Sequence, residues 1–163
     1  MFRVGQEVVY PVHGAGVIES VETREILGQS KEYYVLRIAT GDLQVLIPVD
    51  GVENAGLRSV CDRDTLLHVR DILADEPDGW DDNWNRRYRV NMDKIKSGDI
   101  REIAGVVRDL TLRDIRKGLS AGEKKMLDNA RKVLVSEIVM ASGDSAQQVN
   151  EGLQRIFAEK AGK

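Results

Sequence analysis

The spacing of apolar residues changes once along this chain, near Leu57, and no fold built from a single kind of element accommodates both halves. Before that point the apolar residues form short runs cut by turn formers. Val8-Val9-Tyr10 is a β-prone run ended by Pro11. Gly14-Ala15-Gly16 reads as a turn. Val17 to Ile26 then alternates, with Val17, Glu19 and Val21 set against Ile18, Ser20 and Glu22. Gly28-Gln29 reads as a hairpin connection into Tyr33-Tyr34-Val35-Leu36-Arg37-Ile38, the strongest strand. Gly41-Asp42 turns the chain again ahead of Leu43–Ile47 and Pro48, and residues 49–56 read as an exit loop. Four or five short strands joined by tight turns predict a small SH3- or Tudor-like β-barrel over residues 1–57.

Beyond Leu57 the period is helical. Leu66, Leu67, Val69, Ile72 and Leu73 share a helix over 62–74, and Pro77-Asp78-Gly79 breaks it. Asp81 or Asp82 is placed to cap a helix ending near Lys96, with Gly98 just beyond. Asp99 and Glu102 resemble a capping box opening a helix over 100–117, which Gly118 would stop. Ser120-Ala121-Gly122-Glu123 is a full capping box ahead of a long helix to about Ala141. Val149, Leu153, Ile156 and Phe157 mark a last helix. The expected class is therefore α+β as two segregated domains, a barrel over 1–57 and an all-α bundle of about five helices over 58–163.

Composition excludes several functions. No apolar run approaches the ~20 residues of a membrane span, and the opening residues lack a signal peptide's apolar stretch, so a soluble, cytoplasmic protein is expected. Cys61 is the single cysteine, and with His13 and His68 far from it no zinc site is expected. Gly14-Ala15-Gly16 lacks the third glycine and following helix of a dinucleotide fingerprint. No Walker motif or Gly-x-Ser-x-Gly is present, no cofactor is implied, and no nucleophile or acid–base pair is singled out, so the expectation is a protein that is not an enzyme.

The net charge of −3 is unevenly spread. Residues 86–132 carry 14 Lys/Arg against 7 Asp/Glu, whereas residues 59–85 carry 2 against 8. Such a chain would bind free nucleic acid weakly, and the pattern suggests a basic patch carried to DNA by another protein. The patch begins in Asn83-Trp84-Asn85-Arg86-Arg87-Tyr88-Arg89. On a helix Trp84, Tyr88 and either Asn91 or Met92 fall near one face, with Arg86 and Arg89 on another. Two readings compete. In the first, favoured by spacing alone, Trp84 packs into the core with Tyr88, Met92 and Ile95, and the arginines solvate the outside. In the second, the guanidinium groups meet phosphates and an exposed Trp84 wedges against a base step.

A family resemblance tips this balance. Val4-Gly5-x-x-Val8-Val9-Tyr10-Pro11-x-x-Gly14, Tyr33-x-Val35-Leu36, Gly41-Asp42-Leu43 and Ile47-Pro48 resemble the barrel of the CarD/CdnL bacterial transcription regulators, a module also found in transcription-repair coupling factors. Trp84-x-Arg86-Arg87-Tyr88, Lys96-x-Gly98-Asp99, Val107-Arg108-Asp109-Leu110 and Gly118-Leu119-Ser120-x-Gly122-Glu123-Lys124-x-Met126-Leu127 resemble its helical part. The resemblance runs along essentially the whole chain. It implies a barrel that binds the β subunit of RNA polymerase, with Arg24 and Leu46 at contact positions, although Leu46 stands where some relatives carry arginine. It implies that Trp84 touches promoter DNA at the upstream edge of the bubble while Arg86, Arg89 and Lys124 face the DNA backbone, stabilising the open complex with little sequence reading, as at ribosomal RNA promoters. A monomer is expected. The competing expectation is a protein–protein adaptor on RNA polymerase with no DNA contact.

Overall fold

A computed structural model describes residues 2–11, 13–39, 43–77 and 79–161. Five strands, β1 (Glu7–Tyr10), β2 (Gly14–Ile26), β3 (Gln29–Ile38), β4 (Gln44–Pro48) and β5 (Arg58–Ser59), form one antiparallel sheet in the order β4-β3-β2-β1-β5. Alternation aims Val8, Ile18, Tyr34, Leu36, Ile38 and Ile47 inward, where they enclose a small core with Leu57. β4 and β5 are left as the edges. The last strand falls just past residue 57, so the sheet takes two residues from the stretch expected to open the bundle.

Two local expectations are corrected. Gly14-Ala15-Gly16 is not a turn but the start of β2, paired with Tyr10, Val9 and Val8. Its glycines serve close packing, since a Cβ on Gly16 would lie 2.2 Å from the Arg37 carbonyl oxygen. The β2–β3 turn is Leu27-Gly28 rather than Gly28-Gln29, and both turn residues have positive φ, at 52° and 79°. The turns expected at Gly41-Asp42 and at Asp78 lie outside the described residues.

Five helices follow: α1 (Arg63–Ala74), α2 (Trp84–Lys96), α3 (Ile100–Arg116), α4 (Ala121–Ser142) and α5 (Ala146–Ala161). Side-chain caps set their starts. Asp62 Oδ1 accepts the Thr65 N–H at 2.8 Å, Asp99 Oδ1 accepts the Arg101 N–H at 2.9 Å and Ser120 Oγ accepts the Glu123 N–H at 3.2 Å. The cap of α2 is Asn83, whose Oδ1 accepts the Arg86 N–H at 3.0 Å, and not Asp81 or Asp82. Asp81 instead accepts the Asn83 N–H at 2.9 Å and pairs with Arg86. α3 touches all four other helices and buries Ile103, Ala104, Val106, Val107, Leu110 and Leu112 at the centre of the bundle. α4 is buried more widely than a one-sided surface helix, because it packs on α3 and also on β2.

The bundle sits on the outer face of the sheet at its β1–β5 end. Ala15 donates its backbone N–H to Ser136 Oγ of α4 at 2.9 Å, and Arg58 of β5 pairs bidentately with Glu137 at 2.6 and 2.7 Å. On the remainder of that outer face Leu46 and Arg24 are exposed, whereas Val35 between the outer strands is buried. Register places Leu46, Val35 and Ser20 in one row across β4, β3 and β2, and Arg24 lies on the same face two pleats along β2.

Candidate nucleic-acid interface

The first turns of α2 and α4 meet, and this meeting positions Trp84. Its ring stacks on Tyr88, one turn along α2, with centroids 5.0 Å apart and planes inclined by 23°. Its Nε1–H donates to Ser120 Oγ, the cap of α4, at 3.1 Å. A Cβ on Gly122 would make ordinary van der Waals contact with both rings, at 3.7 Å from Trp84 and 3.9 Å from Tyr88, so α4 passes close to them. The indole is nonetheless 42% exposed and lies outside the bundle core. The core reading of Trp84 is thus corrected. Tyr88 and Met92 pack against the core and Ile95 is inside it, while Trp84, at the helix start, overhangs.

The expected basic residues are exposed on the two helices that meet at this ring. Arg86 and Arg89 project from α2 into solvent, and Lys124 projects from the first turn of α4, two residues after Gly122. Arg86 pairs loosely with Asp81 at 3.4 Å. Arg89 and Lys124 have no ion-pair partner among the described residues, so their charge is available to an anion. The barrel residues are elsewhere. Arg24 is exposed and pairs with Glu22 at 2.8 Å, and Leu46 is 41% exposed on the edge strand β4.

Arg87 is the residue the sequence reading left among the solvating arginines. It is buried and grips Glu123 of α4 bidentately, at 2.9 and 3.0 Å, while donating to the Asp81 carbonyl at 2.8 Å. The Arg87 hydrogen bonds and charge, supported by Ser120, hold the Glu123 carboxyl below its ordinary range against the opposing effect of burial. A signal existed: Arg87, Asn91 and Ile95 recur every four residues, and all three are buried. Trp80, beside this clamp, lies under the guanidinium groups of Arg87 and Arg113, 4.9 and 4.4 Å from its ring centre. Among the described residues no three His, Cys, Asp or Glu side chains converge to hold a metal, and no helix is long and apolar enough to cross a membrane.

Comparison with known proteins places this pairing of a β-domain with a helical bundle among transcription regulators. The CarD-like/TRCF RID domain matches residues 2–61, and the CarD C-terminal domain matches residues 68–154. The chain belongs to the CarD family. It is 41% identical over 149 residues to the "Putative transcription factor YdeB" of Bacillus subtilis (strain 168), covering 91% of this chain and 97% of that protein.

Proposed function

We propose that the protein binds the β subunit of RNA polymerase through its barrel and stabilises the open promoter complex by contacting DNA at the upstream edge of the bubble. The observation that carries this reading is Trp84, a half-exposed ring backed by Tyr88 and anchored to Ser120. A ring held in one orientation loses little freedom on meeting a base step, and the adjacent cations offer contacts to phosphate. Exposed Arg24 and Leu46 on the outer face of the barrel, together with the open edge of β4, are the surfaces offered to polymerase. The family match to a domain shared with TRCF supports that partner. The protein acts as a monomer in the cytoplasm.

The energetics are modest. A patch touching two to four phosphates gives weak, salt-sensitive binding by itself. Tethering to polymerase supplies an effective concentration of roughly millimolar. A wedge at an intact base step meets an unstacking cost of about a few kcal/mol, much of which is already met where the duplex has melted. Trp84 therefore favours the open over the closed complex, and a differential of ~1.4 kcal/mol shifts that equilibrium about tenfold.

The deciding experiment is the lifetime of open complexes on a ribosomal RNA promoter with cognate polymerase after competitor challenge. Trp84→Ala is expected to keep polymerase affinity and lose most of the lengthened lifetime. Arg24→Glu is expected to lose polymerase affinity while retaining residual DNA binding. A folded Trp84→Ala protein that lengthens the lifetime fully would remove the ring from the mechanism. No effect of the wild-type protein, with polymerase binding confirmed, would leave an adaptor whose helical domain meets another protein.

A further inference from the structure

Helix α4 carries two buried glutamates, Glu123 at its start and Glu137 near its end, exposed by 2% and 1%. Each is held bidentately by an arginine from a different part of the fold. Glu123 takes Arg87 of α2, the helix that carries Trp84. Glu137 takes Arg58 of the barrel's edge strand and also accepts the Cys61 N–H at 2.9 Å. Arg58 is further fixed by donating Nε–H to the Gly98 carbonyl at 2.8 Å. Beside Glu137, Ser136 Oγ accepts the Ala15 N–H and donates to the Val133 carbonyl at 2.7 Å. Contact there is tight, for a Cβ on Gly14 would lie 2.7 Å from Ser136 Oγ, and Gly14 has φ +106°. The helix between the two glutamates is continuous. Fourteen residues at 1.5 Å each make a rod of about 21 Å with both carboxylates on nearly the same side.

We infer that α4 is a fixed-length spacer, and that Glu137 with Arg58 and Ser136 are positioning residues that set where Trp84 stands relative to the barrel. The inference rests on the proposed function, in which the barrel is anchored on polymerase. A wedge then helps only if it arrives at the junction, and a swivel between barrel and bundle spreads it over positions that do not touch DNA. None of the three residues need touch polymerase or DNA for this. Glu137→Gln weakens the junction by taking away the charge that faces Arg58, and leaves the barrel core and Trp84 in place.

The test combines two measurements on the full chain. Spin labels at Gln29→Cys in the barrel and Asn129→Cys on α4, in a Cys61→Ala background, report the barrel-to-bundle distance by pulsed electron resonance. Open-complex lifetime and polymerase affinity are measured on the unlabelled protein. Glu137→Gln is expected to broaden the distance distribution and reduce the lifetime effect about tenfold at unchanged polymerase affinity. A destabilised but otherwise rigid protein would not separate affinity from lifetime in this way. A distribution as narrow as wild type, or a full lifetime effect despite a broad one, overturns the inference. Should Glu137→Gln not fold, Ser136→Ala, which leaves the Ala15 N–H unpaired, carries the same comparison. If wild-type protein does not lengthen the lifetime, the proposed function fails, and the distance distribution alone then judges the spacer: broadening sustains it and no broadening refutes it.

Discussion

Trp84 and Arg87 sit three positions apart in one helix and have opposite fates, which sequence spacing did not foretell. Both are large and amphipathic, and either could line a core or a surface. What separates them is place and partner: Arg87 turns inward onto Glu123, whereas Trp84, the first residue of α2, stacks on Tyr88 and donates to Ser120 at the surface. Lys160 shows the converse. It is buried near the end of α5, and its Nζ has no hydrogen-bond partner among the described residues. Burial pushes its pKa below the ordinary lysine range. The folded protein therefore holds that proton less tightly than the unfolded chain, which opposes folding at neutral pH. Lys160→Met is expected to raise stability by about 1 kcal/mol, read as a higher urea midpoint at unchanged slope. An unchanged or lower midpoint would mean that the ammonium finds water or a partner.

At the scale of elements, caps were the most legible feature. Asp99 and Ser120 do cap α3 and α4, but neither expected box closes, because the Asp99 N–H goes to Ser97 Oγ and the Glu123 carboxylate is taken by Arg87. Asn83 displaced Asp81 because Asp81 was already engaged with the Asn83 N–H and with Arg86. The join between α2 and α4 depends on the Arg87–Glu123 pair, and removing one member of a buried pair leaves the other uncompensated. Glu123→Gln is expected to cost about 3 kcal/mol. The pair also sets an acid limit. Glu123 has its folded pKa lowered from an ordinary value of 4.5, so its stabilisation is complete above that value and is lost as pH falls through the lower folded one. Wild-type urea midpoints should fall on this acidic limb, and those of Glu123→Gln should fall less. Parallel limbs would show that other carboxylates dominate acid unfolding.

For the whole molecule, the acidic net charge and the basic stretch of 86–132 fit a protein whose DNA contact depends on a carrier. Free protein is expected to bind duplex DNA weakly, with a log–log salt slope of about −2 to −4, matching two to four phosphate contacts. The effect on polymerase-bound promoter should outlast salt that abolishes free binding, because tethering replaces lost affinity with effective concentration. Tight, salt-resistant binding without polymerase would instead describe a free DNA-binding repressor.

By itself the sequence determined the two-domain architecture, the alternating barrel strands, α1, α3 and α4 to within a residue at each end, and the stretch in which the exposed tryptophan lies. These follow from period, caps and turn residues, which act within a few positions along the chain. Only the tertiary structure decided that Arg87 is buried, that Gly14 and Gly16 serve packing, that β5 completes the sheet, and that Glu137 meets Arg58 across 79 residues. Burial of a charge depends on a partner brought by a distant element, and no local period records which carboxylate will face which guanidinium.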